Sequence, residues 1–145
     1  MRPLPVPALL GPLTALVLAA SPAWANTVAA LPTLRCQLES DNTPLTLDTK
    51  PTQAPYTVEP VTLNDRFRFK AVVVADATGQ AIDHVKLYTQ EVDDAGRRVL
   101  HQVSYTREMV AASMRQPTLT GVQWVYAHRL ERQFQFECHW IGGQP

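Results

Sequence analysis

The sequence predicts an all-β, mainly antiparallel fold: a single β-sandwich or flattened barrel of seven to eight short strands, with at most one short helix. Three observations carry this. Apolar and polar residues alternate with period two in segment after segment, most clearly over Gln133–Trp140, where Phe134, Phe136, Cys138 and Trp140 share one face and Gln133, Gln135, Glu137 and His139 the other. Clusters of turn-forming residues separate these segments at short, fairly regular intervals. The same alternation surrounds the only other cysteine, through Leu34, Cys36 and Leu38, so the two ends of the chain are patterned to meet.

Residues 1–25 have the layout of a Sec-type signal peptide: a basic start at Arg2, an apolar run over Leu9–Ala20 and a small-residue exit at Ala23-Trp24-Ala25, with cleavage expected after Ala25. The alternative, a membrane span, is disfavoured because prolines and Gly11 break the run and it falls short of the ~20 residues a bilayer requires. Residues 26–145 then form one β-rich domain of 120 residues, long enough to bury roughly two-thirds of its unfolded surface. No membrane span is expected in the mature form.

Asn26–Pro32 has no period and reads as a lead-in. Leu34–Glu39 is the first strand, Ser40-Asp41-Asn42-Thr43-Pro44 reverses the chain, and Leu45–Asp48 completes a hairpin. Pro51 and Pro55 make the next stretch a connection, since neither helix nor central strand accommodates them. Tyr56–Glu59 resumes the alternation as an edge strand before Pro60. The strongest strand of the first half follows, with Phe67, Phe69, Ala71 and Val73 on one face and Arg66, Arg68 and Lys70 on the other, until Val72 and Val74 make both faces apolar. Its later half should be covered on both sides. Strands His84–Val92 and Arg97–Tyr105, joined by the hairpin tip Asp93–Gly96, extend this into a meander. In the second of them, strict alternation groups Val99 with His101, Val103 and Tyr105.

Thr106–Gln116 is the one stretch with helical character, because Thr106 can cap it, the residues after it favour helix, and Pro117 ends it. An irregular loop carrying Met109 and Met114 onto the core is the rival reading. The last pair of strands is Val122–Tyr126 and Leu130–Trp140, turning at Ala127-His128.

Without Arg2 the chain carries twelve Lys and Arg against thirteen Asp and Glu, a balance that argues against nucleic acid as partner. Two cysteines with an export address predict a Cys36–Cys138 disulfide. A thiolate metal site fits less well, since neither cysteine has a C-x-x-C or C-x-x-H neighbour and His139 points away from Cys138.

Two places invite a binding role. The stripe Arg66, Arg68 and Lys70, with Lys86 on the next strand, could receive a small anionic ligand or an acidic protein. It would instead be an ordinary solvated face if Glu59, Glu91 or Asp93 lay across from it. Trp124, Tyr126, His128, Glu131 and Arg132 gather near the last turn and could line a small polar end pocket, or simply anchor a turn with a Glu131–Arg132 pair.

The histidines His84, His101, His128 and His139 show no ligand spacing, so no metal site and no cofactor are assigned; a copper or zinc carrier using His84, His101, His128, Met109 and Met114 is kept as an alternative function. No catalytic residue is assigned either, because there is no G-x-S-x-G, no Ser-His-Asp order and no carboxylate pair. A hydrolase or isomerase of unrecognised type is a second alternative.

The run Phe67-Arg68-Phe69-Lys70-Ala71, the Lys86-Leu87-Tyr88 strand and the Tyr126, Leu130-Glu131-Arg132 and Cys138 ending resemble a group of small exported proteobacterial proteins of uncharacterised function. That resemblance implies a periplasmic location and no chemistry. The expectation is therefore a periplasmic or secreted, non-enzymatic binding protein stapled by one disulfide.

Overall fold

The computed structural model describes residues 30–116 and 118–143, and the expected signal peptide lies outside them. Among the described residues the strands are β1 (Thr33–Ser40), β2 (Thr43–Thr49), β3 (Val61–Leu63), β4 (Phe67–Ala75), β5 (Ile82–Asp93), β6 (Gly96–Tyr105), β7 (Gln123–Ala127) and β8 (Arg132–Ile141), with one α-helix, α1 (Arg107–Met114). They pair antiparallel into two four-stranded sheets, ordered β2-β1-β8-β7 and β3-β4-β5-β6. Of the two architectures expected, this is the sandwich. Among the described residues no helix is long and apolar enough to cross a membrane.

The period-two pattern decides what lies between the sheets. From β4, Phe67, Phe69, Ala71 and Val73 point inward, and from β8, Phe134, Phe136, Cys138 and Trp140 meet them; all are buried. The aromatic rings interlock, with centroids 5.4 Å apart for Phe67–Phe134 and 5.0 Å for Phe69–Phe136. Burying each such side chain stabilises the fold by roughly 1.5–3 kcal/mol. Cys36 and Cys138 stand directly opposite one another on β1 and β8 and are joined by a disulfide across a sequence separation of 102. The bridge fastens the first strand to the last within one sheet.

Turn chemistry sets the hairpins. Asp41 and Asn42, with φ of 50° and 60°, form the two-residue link between β1 and β2, a left-handed conformation that these side chains accept more readily than most. Between β4 and β5, Asp76 organises the loop: its Oδ1 accepts from the Thr78 hydroxyl at 2.8 Å and the Gln80 amide at 3.1 Å, while Gly79 takes φ 69°.

Two elements differ from expectation, and in a third only the cap does. Tyr56–Glu59 is no edge strand: Pro55, with φ already suited to a helical turn, starts a 3-10 turn over Pro55–Thr57, and pairing resumes only beyond Pro60, at Val61–Leu63. In β6 the alternation breaks, because Thr89 opposes His101 whereas Gln90 opposes Val99, which leaves Leu100 as an extra residue in a bulge. Val99 is thereby turned outward to half exposure, and Arg98 comes to lie opposite Glu91. Finally, Thr106–Gln116 is helical over Arg107–Met114, but the Thr106 hydroxyl donates to Glu108 Oε2 at 2.7 Å and makes no capping bond to the backbone. Val110 anchors α1 to the core, Met114 packs at its margin, and Met109 is exposed.

Candidate functional site

The outer face of the β3-β4-β5-β6 sheet carries a walled groove. Thr52 is bridged in parallel to Val74 through its amide, which donates to the Val73 carbonyl at 2.9 Å, and Val61 pairs with Phe69 further down β4. Between these two fixed points residues 53–60 arch beside β4, stiffened by Pro55 and Pro60, and raise a wall. The floor is the outward half of the alternation. Register sets Arg68 against Gln90, Lys70 against Tyr88, Val72 against Lys86 and Val74 against His84. Arg97, from the start of β6, also lines the cavity, whose volume is about 570 Å³. Successive rows stand ~7 Å apart, the two-residue repeat of a strand.

The electrostatics are one-sided. Among the described residues none of Arg68, Lys70, Lys86 or Arg97 has a carboxylate within ion-pair distance, and Arg68 Nε is buried without a hydrogen-bond partner. The acids that could have neutralised the stripe are engaged elsewhere or stand off. Glu91 faces the interior, 2.6 Å from Arg98, and Asp93 lies 3.4 Å from Arg129. Glu59 is the single carboxylate lining the groove among the described residues. At the far end, Asp83 Oδ2 lies 2.8 Å from His84 Nδ1, leaving the other ring nitrogen for the groove. That contact, followed by a hydrogen bond from Arg107, holds the Asp83 carboxyl below the usual carboxylate range.

Of the four residues expected on the basic face, the structure brings three together. Arg66 belongs to the turn before β4, is exposed, and does not line the groove; its carbonyl accepts from the Val92 amide at 2.7 Å. Sequence reasoning missed Tyr56, Tyr88, His84 and Arg97. Tyr88 was readable from its place between Lys86 and Gln90 on one face, but the wall depends on where Thr52 docks, which no local pattern shows.

The expected end pocket is divided. Trp124, Glu131 and Arg132 do line a hollow of about 390 Å³, on the outer face of the other sheet, together with Glu39, Asp41 and Gln135. Tyr126 and His128 do not line it; their rings lie 6.0 Å apart beside it. Arg132 is paired with Asp41 at 3.0 Å, so the Glu131–Arg132 pair does not form. A third cavity, of about 740 Å³, is mainly apolar and lies between α1, Trp140 and the Leu31-Pro32 segment.

The histidines do not converge. His84 faces the groove, His101 packs its ring 5.6 Å from Phe136 between the sheets, and His128 sits in the β7–β8 turn. The His101 Nδ1 is buried without a hydrogen-bond partner among the described residues. Among the described residues no three His, Cys, Asp or Glu side chains are grouped to hold a metal ion. No family model, no curated protein and no solved structure matches the chain.

Proposed function

We propose that this chain is an exported, non-enzymatic binding protein, periplasmic or secreted, that takes a small anionic ligand in the walled groove. One observation carries the reading: Arg68, Lys70, Lys86 and Arg97 converge on one cavity with Glu59 as the only lining carboxylate, and no ion pair neutralises them among the described residues. Like charges gathered this closely repel, so the arrangement costs stability unless an anion relieves it. Tyr56 and Tyr88 add hydroxyl donors and ring surface, and Val72 and Val74 a short apolar floor. The signal-peptide pattern, the buried disulfide and the resemblance to small exported proteobacterial proteins support export, since disulfides persist in oxidising compartments.

Titration of the isotopically labelled protein with inorganic phosphate and with citrate tests this by amide chemical shifts. Saturable shifts are expected in β4, β5 and residues 53–60, weakening with added salt as screening shortens the reach of the cations. Lys70→Glu with Lys86→Glu should weaken binding at least about tenfold, a change of ~1.4 kcal/mol. Shifts spread evenly over the surface, or equal affinity in the double variant, would sink the proposal.

A further inference from the structure

The hollow beside Trp124 has a different chemistry from the groove and lies on the opposite sheet. We infer that the outer face of the β2-β1-β8-β7 sheet binds a neutral oligosaccharide, with Trp124 as the stacking wall and the side chains around Gln135 as the hydroxyl-reading groups. The indole is 67% exposed and Tyr126, two residues further along the same face of β7, is 53% exposed. The core alternation put Val125 and Ala127 inside, so both aromatics are left on the surface, more than half exposed among the described residues.

The surroundings decide the ligand class. Register places Gln135 between Trp124 on β7 and Glu39 on β1, and Gln133 opposite Tyr126. Planar amides and carboxylates therefore stand beside an aromatic wall. A pyranose ring has this complementary form: one face of C–H bonds, apolar enough to lie against indole, and a rim of hydroxyls that each both donate and accept. Amide side chains match such hydroxyls because they offer donors and acceptors in one plane, and carboxylates accept from two at once. The polar groups are already held. Gln135 Nε2 donates to Glu39 Oε2 at 2.8 Å, and Arg132 is fixed by Asp41 at 3.0 Å, so little side-chain freedom is left to lose on binding.

Other ligands fit worse. An anion would meet Glu39, Asp41 and Glu131, with Arg132 already committed to Asp41. An apolar ligand would desolvate these carboxylates without replacing their hydrogen bonds. The volume, about 390 Å³, is near the lower end of the roughly 300–1,000 Å³ of ligand sites and suits one or two sugar units, with Tyr126 ~7 Å along the strand available to the next.

Trp124 reports on its own site, because among the described residues the other tryptophan, Trp140, is buried. Titration with cellotriose, maltotriose and chitotriose, followed by indole emission, should give a saturable blue shift with at least one of them at about millimolar or lower concentration. It should persist at high salt and in the Lys70→Glu, Lys86→Glu variant, which separates this site from the groove. By calorimetry, Trp124→Ala should abolish binding and Gln135→Ala should weaken it about tenfold. No saturable change with any of the three sugars, or undiminished calorimetric binding in Trp124→Ala, overturns the inference. So does a concentration-dependent dimer that Trp124→Ala dissolves and the sugars leave intact, which would assign the face to a second copy of the chain.

Discussion

Arg98→Ala isolates the least conventional part of the interior. The β6 bulge sets Arg98 opposite Glu91, whose side chain is fully buried, and the guanidinium approaches to 2.6 Å. It is a charge contact rather than an aligned hydrogen bond, and neither carboxylate oxygen has a hydrogen-bond partner among the described residues. Removing the cation from a fully buried pair costs ~3–5 kcal/mol, because the remaining charge is left uncompensated. Arg98 is itself 45% exposed, so water can take part of its place, and the expected cost falls to about 2–3 kcal/mol. For a domain of this size each kcal/mol moves the Tm by ~3–5 °C, which gives a drop of about 6–15 °C. Thermal unfolding followed by circular dichroism at neutral pH measures it. Adding Glu91→Gln to Arg98→Ala should recover at least half the loss, since the amide no longer carries a charge. A Tm within about 2 °C of the parent for Arg98→Ala, or no recovery in the double variant, would refute the view that Arg98 compensates a buried charge.

Replacing both Cys36 and Cys138 by Ala reopens the 102-residue separation and should cost up to ~4–5 kcal/mol on the chain-entropy account, lowering the Tm by up to about 12–25 °C; a loss under about 3 °C would mean the strand pairing alone holds β1 to β8. Acid should unfold the protein through carboxylates that the fold holds below their usual range: Asp48 by its hydrogen bond from Arg35, Asp76 by the Thr78 hydroxyl, Asp83 by His84 and Glu108 by Thr106. Depressed pKa values contribute stability that is complete above the unfolded value of about 4 and is lost as pH falls through the folded values. The Tm should thus stay nearly level between about pH 7 and 5 and decline below about 4, and Asp76→Asn should remove part of that decline; a Tm constant down to about pH 2 contradicts it.

What was legible in the sequence is what one strand determines by itself. Phe67, Phe69 and Ala71, like Phe134 and Phe136, announce a buried face because their neighbours are polar, and the sandwich follows once several such strands exist. The Cys36–Cys138 pairing was legible because two cysteines allow one bridge. Features made by two segments were not. Strict alternation put Val99 with His101, and only the pairing of β5 with β6 shows that Leu100 shifts the phase. In β7 both faces are apolar, so local pattern cannot decide between Val125 and Trp124 for the core; the sheet decides it by giving the inside to the smaller side chains. The basic stripe was visible as Arg68 and Lys70, but its concavity comes from residues 53–60 arching between Val74 and Phe69.

The near-zero net charge hides the property most relevant to binding. A sum over the chain cannot see that a sandwich separates its outward residues onto two faces at opposite sides of an apolar core. Here Arg68, Lys70, Lys86 and Arg97 gather on one face, while Glu39, Asp41 and Glu131 lie around the hollow on the other. At long range the net charge is near zero and salt screens the dipole that remains, so distant ligands are steered only weakly. Within a Debye length of ~8–10 Å each face acts alone. An anion in the groove is therefore held by contact electrostatics and should be sensitive to salt, whereas a neutral sugar at Trp124 should not. The inward alternation that makes the core leaves both outer faces free to differ, which is how one small fold can carry two chemically distinct binding surfaces.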